Sequence, residues 1–174
     1  MSFDAFVYSK SHAEKIPGET QDDEMSEKKA FEILSFELGA ENNINIGSIS
    51  GGGGAGKATF KEFTITKKTD TASTGLFTAL VTGSHFDNLF IELRRSGGAE
   101  DKSGVTFMKF EMHLVMVQDI SWSGSDGDDI CEETVVLQFG AIKIQYYPQD
   151  KKGKMGTPKE ALWSRVKNNA STNV

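Results

Sequence analysis

Apolar residues recur at every second position in run after run of this chain, and that period constrains the fold more than any other feature. Leu89, Ile91 and Leu93 alternate with Phe90, Glu92 and Arg94. Phe110, Met112, Leu114 and Met116 alternate with Glu111, His113 and Val115. Val135, Leu137 and Phe139 alternate as well. Ile142, Ile144 and Tyr146 continue in the opposite phase, with Gly140 where the phase flips. Successive side chains of an extended backbone point to opposite faces, so each run predicts a strand with one buried face. A glycine at a phase change predicts a bulge or bend. Phe60, Phe63 and Ile65 predict a further strand, bulged near Glu62. Several such strands between glycine-rich turns predict a mainly β fold, a compact β-barrel or two-sheet sandwich.

One helix interrupts this order. Asp70 or Ser73 can cap it, because a short side-chain oxygen accepts from the free N–H groups of a first turn. Leu76, Phe77 and Leu80, with Val81, then share one face, and the first three are the expected core anchors of a helix flanking the barrel. Gly83 can take the left-handed conformation that closes it.

Four stretches lack periodicity: Ser9 to Lys29, Asn42 to Gly56, Gly97 to Gly104, and the acidic Ser123 to Asp129. From Asp150 the chain turns basic, with Lys151, Lys152, Lys154, Lys159, Arg165 and Lys167. Pro158 to Val166 has room for a short helix with Leu162, Trp163 and Val166 as its apolar contacts. The reading is therefore one β domain over 1–149 and a polar, basic C-terminal tail over 150–174, too short to fold alone.

Charge and composition exclude several functions. A net charge of −6 argues against nucleic acid, whose binders need cations to neutralise phosphates, and against an anionic membrane surface. No apolar run is long enough to span a bilayer. The segment Met1 to Phe6 lacks a basic region followed by an apolar core, so no signal peptide is expected. With one cysteine, Cys131, no disulfide can form within the chain. A reducing cytoplasm is the expected place of folding.

The run Gly51-Gly52-Gly53-Gly54-Ala55-Gly56-Lys57 satisfies G-x-G-x-x-G and nearly satisfies a P-loop, but Ala58 stands where a hydroxyl should hold magnesium. Both motifs also need a helix directly after the loop, and Ala58 to Lys67 reads as a strand. A small nucleotide-binding enzyme is thus the weaker alternative. His12, His85 and His113 are far apart and show no metal-ligand spacing. Cys131 precedes Glu132 and Glu133, a negative field unsuited to a nucleophilic thiolate. Asp126-Gly127-Asp128-Asp129 lacks the rest of a calcium loop. Trp122 and Trp163 read as packing or interface anchors. No catalytic residue, cofactor or metal is expected.

Several segments, in order, resemble the Hcp (haemolysin-coregulated protein) family of type VI secretion tube proteins. They are Phe3-Asp4-Ala5-Phe6-Val7, Ile16-Pro17-Gly18-Glu19-Thr20, Phe31 to Gly39, Gly53 to Phe77, Glu92-Leu93-Arg94-Arg95-Ser96-Gly97-Gly98, and Glu133 to Gln149. Leu38 replaces a usual tryptophan, and Thr74 a usual proline. The resemblance implies a ring of six copies, with rings stacking into the inner tube of a contractile apparatus. It implies self-association, a VgrG-type spike, sheath and baseplate proteins, and effector proteins carried in the lumen as partners. It implies assembly in the cytoplasm and secretion, or delivery to a target cell, through the apparatus. A secreted ring-shaped adaptor or chaperone for effectors that does not polymerise is the alternative. The stretch bearing Ile44, Ile46, Ile49, Gly51, Gly52, Gly53 and Gly54 is the expected ring-to-ring contact. Isolated apolar side chains on a loop gain little until a second subunit covers them.

Overall fold

The computed structural model describes residues 3–45, 54–95 and 104–174. The elements run β1 (Phe3–Tyr8), α1 (Asp23–Glu27), β2 (Phe31–Ile33), β3 (Ser35–Glu37), β4 (Ala40–Asn45), β5 (Gly54–Phe60), β6 (Phe63–Lys68), α2 (Thr71–Thr82), β7 (His85–Arg95), β8 (Val105–Ser123), β9 (Glu132–Tyr146) and β10 (Lys159–Ser164). The main sheet is ordered β2-β1-β7-β8-β9-β6-β3, and every pair in it is antiparallel. Its two end strands are halves of one extended run, parted only at Leu34, whose N–H already donates to Thr66 O on β6 at 2.7 Å. One chain segment therefore hands over from β1 to β6 and brings the sheet round on itself. The mainly β, barrel-like architecture read from alternation is the one observed, and the near-closure shortens the free edge that would otherwise template aggregation.

The interior holds Phe63, Ile65, Leu89, Ile91, Phe110, Met112, Val135 and Leu137, all fully or nearly fully buried. Phe36 stacks on Phe63 with ring centroids 6.1 Å apart, and Phe63 meets Phe110 at 6.2 Å. Helix α2 covers one side of this core. The two candidate caps act together: Asp70 Oδ1 accepts from Ala72 N at 2.9 Å, while Ser73 Oγ accepts from Asp70 N at 3.0 Å. At the other end Gly83 sits at φ 66°, a left-handed turn that costs a residue without a Cβ least. Gly75 lets the preceding loop cross the helix closely, since a Cβ there would lie 1.7 Å from Lys15 O.

The strands and loops depart from the sequence reading in five places. Phe60 and Phe63 are not one bulged strand: Phe60 ends β5, which pairs only with β4, and Phe63 opens β6 in the barrel. The face assigned to β8 switches midway. Phe110 and Met112 point into the core, but Leu114 adopts φ 51°, and after it Val115 and Val117 are the buried residues while Met116 is exposed. Gly140 lies opposite, and the β8–β9 register runs through it unshifted; the register shift falls between Val117 and Asp119. The Ser9 to Lys29 stretch contains a second helix, α1, capped by Asp22. Finally, Lys159 to Ser164 is a strand, not part of a short helix, and pairs with β9 from Ala141 to Tyr146.

That last pairing has a simple origin. Residues 132–137 of β9 are flanked by β6, but β6 stops opposite Leu137. Beyond Gly140 the edge of β9 would be bare, and β10 fills it.

Candidate functional site

The described residues among those singled out from sequence fall in two places, the β4–β5 pair and helix α2. The hairpin forms its own two-stranded sheet, with Ala40 opposite Phe60, Asn42 opposite Ala58 and Ile44 opposite Ala55. Ala40, Glu41, Asn42 and Asn43 are exposed, and Ile44 is 62% exposed. Ile46, Ile49, Gly51, Gly52 and Gly53 lie outside the described residues; Gly54 is the first residue of β5. The segment through Lys57 and Ala58 is strand, so the helix whose N-terminus would hold a phosphate after the glycine run does not follow it. An isolated two-stranded hairpin is marginal in water; β4 is exposed from Ala40 to Ile44, while Phe60 at the end of β5 is half-buried and packs on the core.

On α2, Leu76 is buried, together with Ala72 and Ala79. Leu80 is half-buried and packs on the core. Phe77 is a correction: it is 44% exposed and lies against Trp122 with ring centroids 5.8 Å apart. At helical spacing it sits one step round from Leu76, toward solvent.

Beneath the N-terminus of α2 lies an ionic cluster that sequence reasoning missed. Lys67 and Glu133 have wholly buried side chains, with Lys67 Nζ 3.1 Å from Glu133 Oε1. Lys67 also donates to Asp70 Oδ1 at 2.7 Å and to the Lys68 carbonyl at 2.7 Å. Glu133 accepts from Ser73 Oγ at 2.8 Å, Thr69 Oγ1 at 3.1 Å and Trp122 Nε1 at 2.7 Å. Every partner is a protein group, and the cluster joins β6, β9, β8 and the helix cap. Buried charge is tolerable when paired and hydrogen-bonded in this way. The cluster fixes where α2 sits, and its two central charges, Lys67 and Glu133, are sealed from solvent. The available signal was the alternation itself, which places Lys67 on the same face as Phe63 and Ile65.

A second set of charges lies on the outward face of β1 and β7. Arg94 donates to Asp22 Oδ1 at 2.9 Å and to Glu24 Oε2 at 3.2 Å. Lys28 Nζ meets Glu24 and Glu92 at 3.0 Å each, and Lys109 lies 3.6 Å from Glu92. Burial pulls the Lys28 pKa down, but the bonds and charges of Glu24 and Glu92 outweigh it and the net shift is upward. The Tyr8 hydroxyl is buried with no atom in hydrogen-bonding geometry among the described residues. Burial first, then the Glu92 charge, raise its pKa well above the ordinary phenol range.

His12 and His85 flank the Asp87 carboxylate, at 4.0 and 3.3 Å, and His113 lies apart from them at Glu111. No group of three or more His, Cys, Asp or Glu among the described residues is arranged to hold a metal ion. No helix of the described residues is long and apolar enough to cross a membrane.

A nearly closed β-barrel flanked by one principal helix, with an exposed outlying hairpin and its buried charges tied up internally, defines a structural class built around surfaces. The family model described as type VI secretion system effector, Hcp, matches residues 8–146, and the chain belongs to that family. The protein hcp1 of Pseudomonas aeruginosa is 29% identical over 109 residues, 62% of this chain and 65% of that protein, so the match spans just under two thirds of that relative. A solved structure of a type six secretion system protein superposes with a TM-score of 0.84 at 30% identity, covering 97% of this chain and 99% of that one. The crystal structure of Hcp1 from Salmonella typhimurium shares the fold, with a TM-score of 0.72 at 24% identity over 97% of this chain and 98% of its own.

Proposed function

We propose that this chain is a tube-building subunit of a type VI secretion apparatus. Copies close into a ring of six, rings stack into the inner tube, and the tube is driven out by sheath contraction with effectors in its lumen. Its partners are further copies of itself, a spike of the VgrG type at the tip, and the sheath and baseplate around it. It is assembled in the cytoplasm and leaves the cell through the apparatus. Its work is assembly and mechanical transport and requires no catalytic residue, cofactor or metal.

The observation that carries this reading, beyond family membership, is the β4–β5 hairpin. It forms a sheet of its own beside the barrel, and most of its described side chains are exposed, Ile44 at 62% among them. A pair of strands this exposed gains stability when another subunit covers it. Ile44, Ile46, Ile49 and Gly51 to Gly54 are accordingly the proposed ring-to-ring contact.

The test is to change Ile46 and Ile49 to Asp and to image purified protein by negative stain beside the wild type. Single rings should persist while tubes fail to lengthen. Tubes of normal length would reject the hairpin's role. Wild-type rings that never stack under any condition would favour the ring-shaped adaptor instead.

A further inference from the structure

The outward side of β8 and β9 carries a groove of about 570 Å³. Its floor includes Leu114 and Met116, which the left-handed turn at Leu114 takes out of the core alternation. One wall is β5, through Lys57 to Phe60; the other is the end of β10 and the residues after it, Trp163, Arg165 and Val166. Both wall strands are paired along one edge only, β5 with β4 and β10 with β9. The lining is mostly apolar, and its only charged residues are Lys57 and Arg165. The Arg165 guanidinium lies 5.2 Å from the Phe139 ring centroid and 5.7 Å from that of Phe60, and donates to Gln138 Oε1 and the Phe139 carbonyl. Neither cation has an ion-pair partner among the described residues.

The turn between β8 and β9 has the complementary chemistry. From Gly124 to Glu133 the chain carries Asp126, Asp128, Asp129, Glu132 and Glu133 and no cation. Glu133 turns inward onto Lys67, but the other four are exposed and form no ion pair among the described residues. Ile130 stands among them, 45% exposed. An apolar side chain ringed by carboxylates thus projects from one place, and an apolar groove bearing two unpaired cations opens at another.

The two cannot meet within one chain. β9 runs from Glu132 at the turn to Gln138 at the groove floor, roughly 20 Å at about 3.3 Å per residue, and the turn lies beyond the strand end. We infer that the β8–β9 turn of one copy docks in the groove of a neighbouring copy, with Ile130 on the apolar floor and Asp126, Asp128 and Asp129 facing Lys57 and Arg165. The charges also select the geometry. Turn against turn would oppose carboxylates, and groove against groove would oppose cations, so contact between unlike patches is favoured. Such a heterologous contact closes a ring when the rotation allows. This inference rests on the self-assembly proposed above and adds which surfaces meet.

Two measurements test it. In the first, K57E and the double change D128K/D129K are made separately and together; all three positions are exposed. Each separate change should raise the half-assembly concentration, read by sedimentation velocity, about tenfold or more, and the combination should restore it to near wild type. In the second, mixed ¹⁴N and ¹⁵N wild-type protein is treated with a carbodiimide, which joins touching amines and carboxylates. Lys57 should be joined to a 124–133 peptide of the other isotope. Unchanged assembly in the separate variants, losses that the combination fails to restore, or cross-links that never join Lys57 to the turn would each overturn the pairing. A wild type that stays monomeric at every concentration would instead refute self-assembly itself.

Discussion

The outward face of β1 and β7 and the outward face of β8 and β9 belong to the same sheet but end very differently. Over the first, the chain folds back on itself. Met25 and Ala30 cover Phe6, Tyr8 and Phe90, and these five residues form a second small buried cluster. The charges there are bound as well, Arg94 by Asp22 and Glu24, and Glu92 by Lys28 and Lys109. Over the second face no such ion-paired cover lies among the described residues; only the chain end comes near, where a Cβ on Gly140 would lie 3.0 Å from Val174. Met116 and Val166 are exposed, and Lys57 and Arg165 lack carboxylate partners among the described residues. One face is completed by the segment between β1 and β2; the other is the face we propose a second copy covers. An ion pair on the covered face and an unpaired cation on the open one thus report the same thing: whether a partner comes from within the chain.

The sharpest way to break this contrast is to damage what the chain completes internally. Glu133→Ala leaves Lys67 charged and buried with Asp70 as its one remaining carboxylate among the described residues, and should cost about 3 kcal/mol in urea unfolding. Replacing the pair by apolar residues, Lys67→Met with Glu133→Leu, should recover most of that loss. If Glu133→Ala unfolds like the wild type, the cluster does not secure α2.

Next in size is a direct comparison of the two faces. Met25→Ala should cost roughly 2–5 kcal/mol, as for a fully buried side chain, while Met116→Ala on the open face should change subunit stability by less than about 1 kcal/mol. Within α2 the same division applies, with Leu76→Ala in the first range and Phe77→Ala well below it. Equal losses at Met25 and Met116 would mean the second face is covered within the subunit after all.

The smallest expected effect is alkaline. The buried Tyr8 phenol ionises less readily when folded than at its ordinary value of 10.0. Below that pH it makes no difference; above it the unfolded chain ionises and the fold loses stability. Lys28 acts in the same direction, because its raised pKa gives a contribution complete below the ordinary lysine value of 10.5 and lost as pH rises through the folded one. Stability should therefore be level from neutral pH and fall above about pH 10. Tyr8→Phe should make the alkaline fall shallower, because it removes the group that ionises in the unfolded chain. An unaltered alkaline slope would remove Tyr8 from the account.

What could be read from residues was local. Asp70, Ser73 and Gly83 marked α2, because caps act through neighbouring backbone groups. The opposite phases of β9 on either side of Gly140 were likewise visible in its apolar spacing. What escaped depended on distant parts of the chain. A leucine at φ 51° has no local signature, so the switch at Leu114 was invisible and Met116 was placed in the core. Leu162, Trp163 and Val166 suit a helix by spacing, and β10 is a strand because β6 leaves the far half of β9 unpaired. The covering segment around α1 was hidden because Met25 is its lone apolar helical residue among charges; only the folded register shows those charges answering Glu92 and Arg94. At the candidate site, the exposure of Ile44 was legible, whereas the groove on β8 and β9 needed β5, β10 and the Leu114 turn together.

The central claim is that this subunit is completed by copies of itself, and the most direct measurement is the native mass of the purified protein across micromolar concentrations, read by light scattering after size exclusion. A species of six times the chain mass, seen as rings in negative stain, is the predicted result. A strict monomer over the whole range would contradict it.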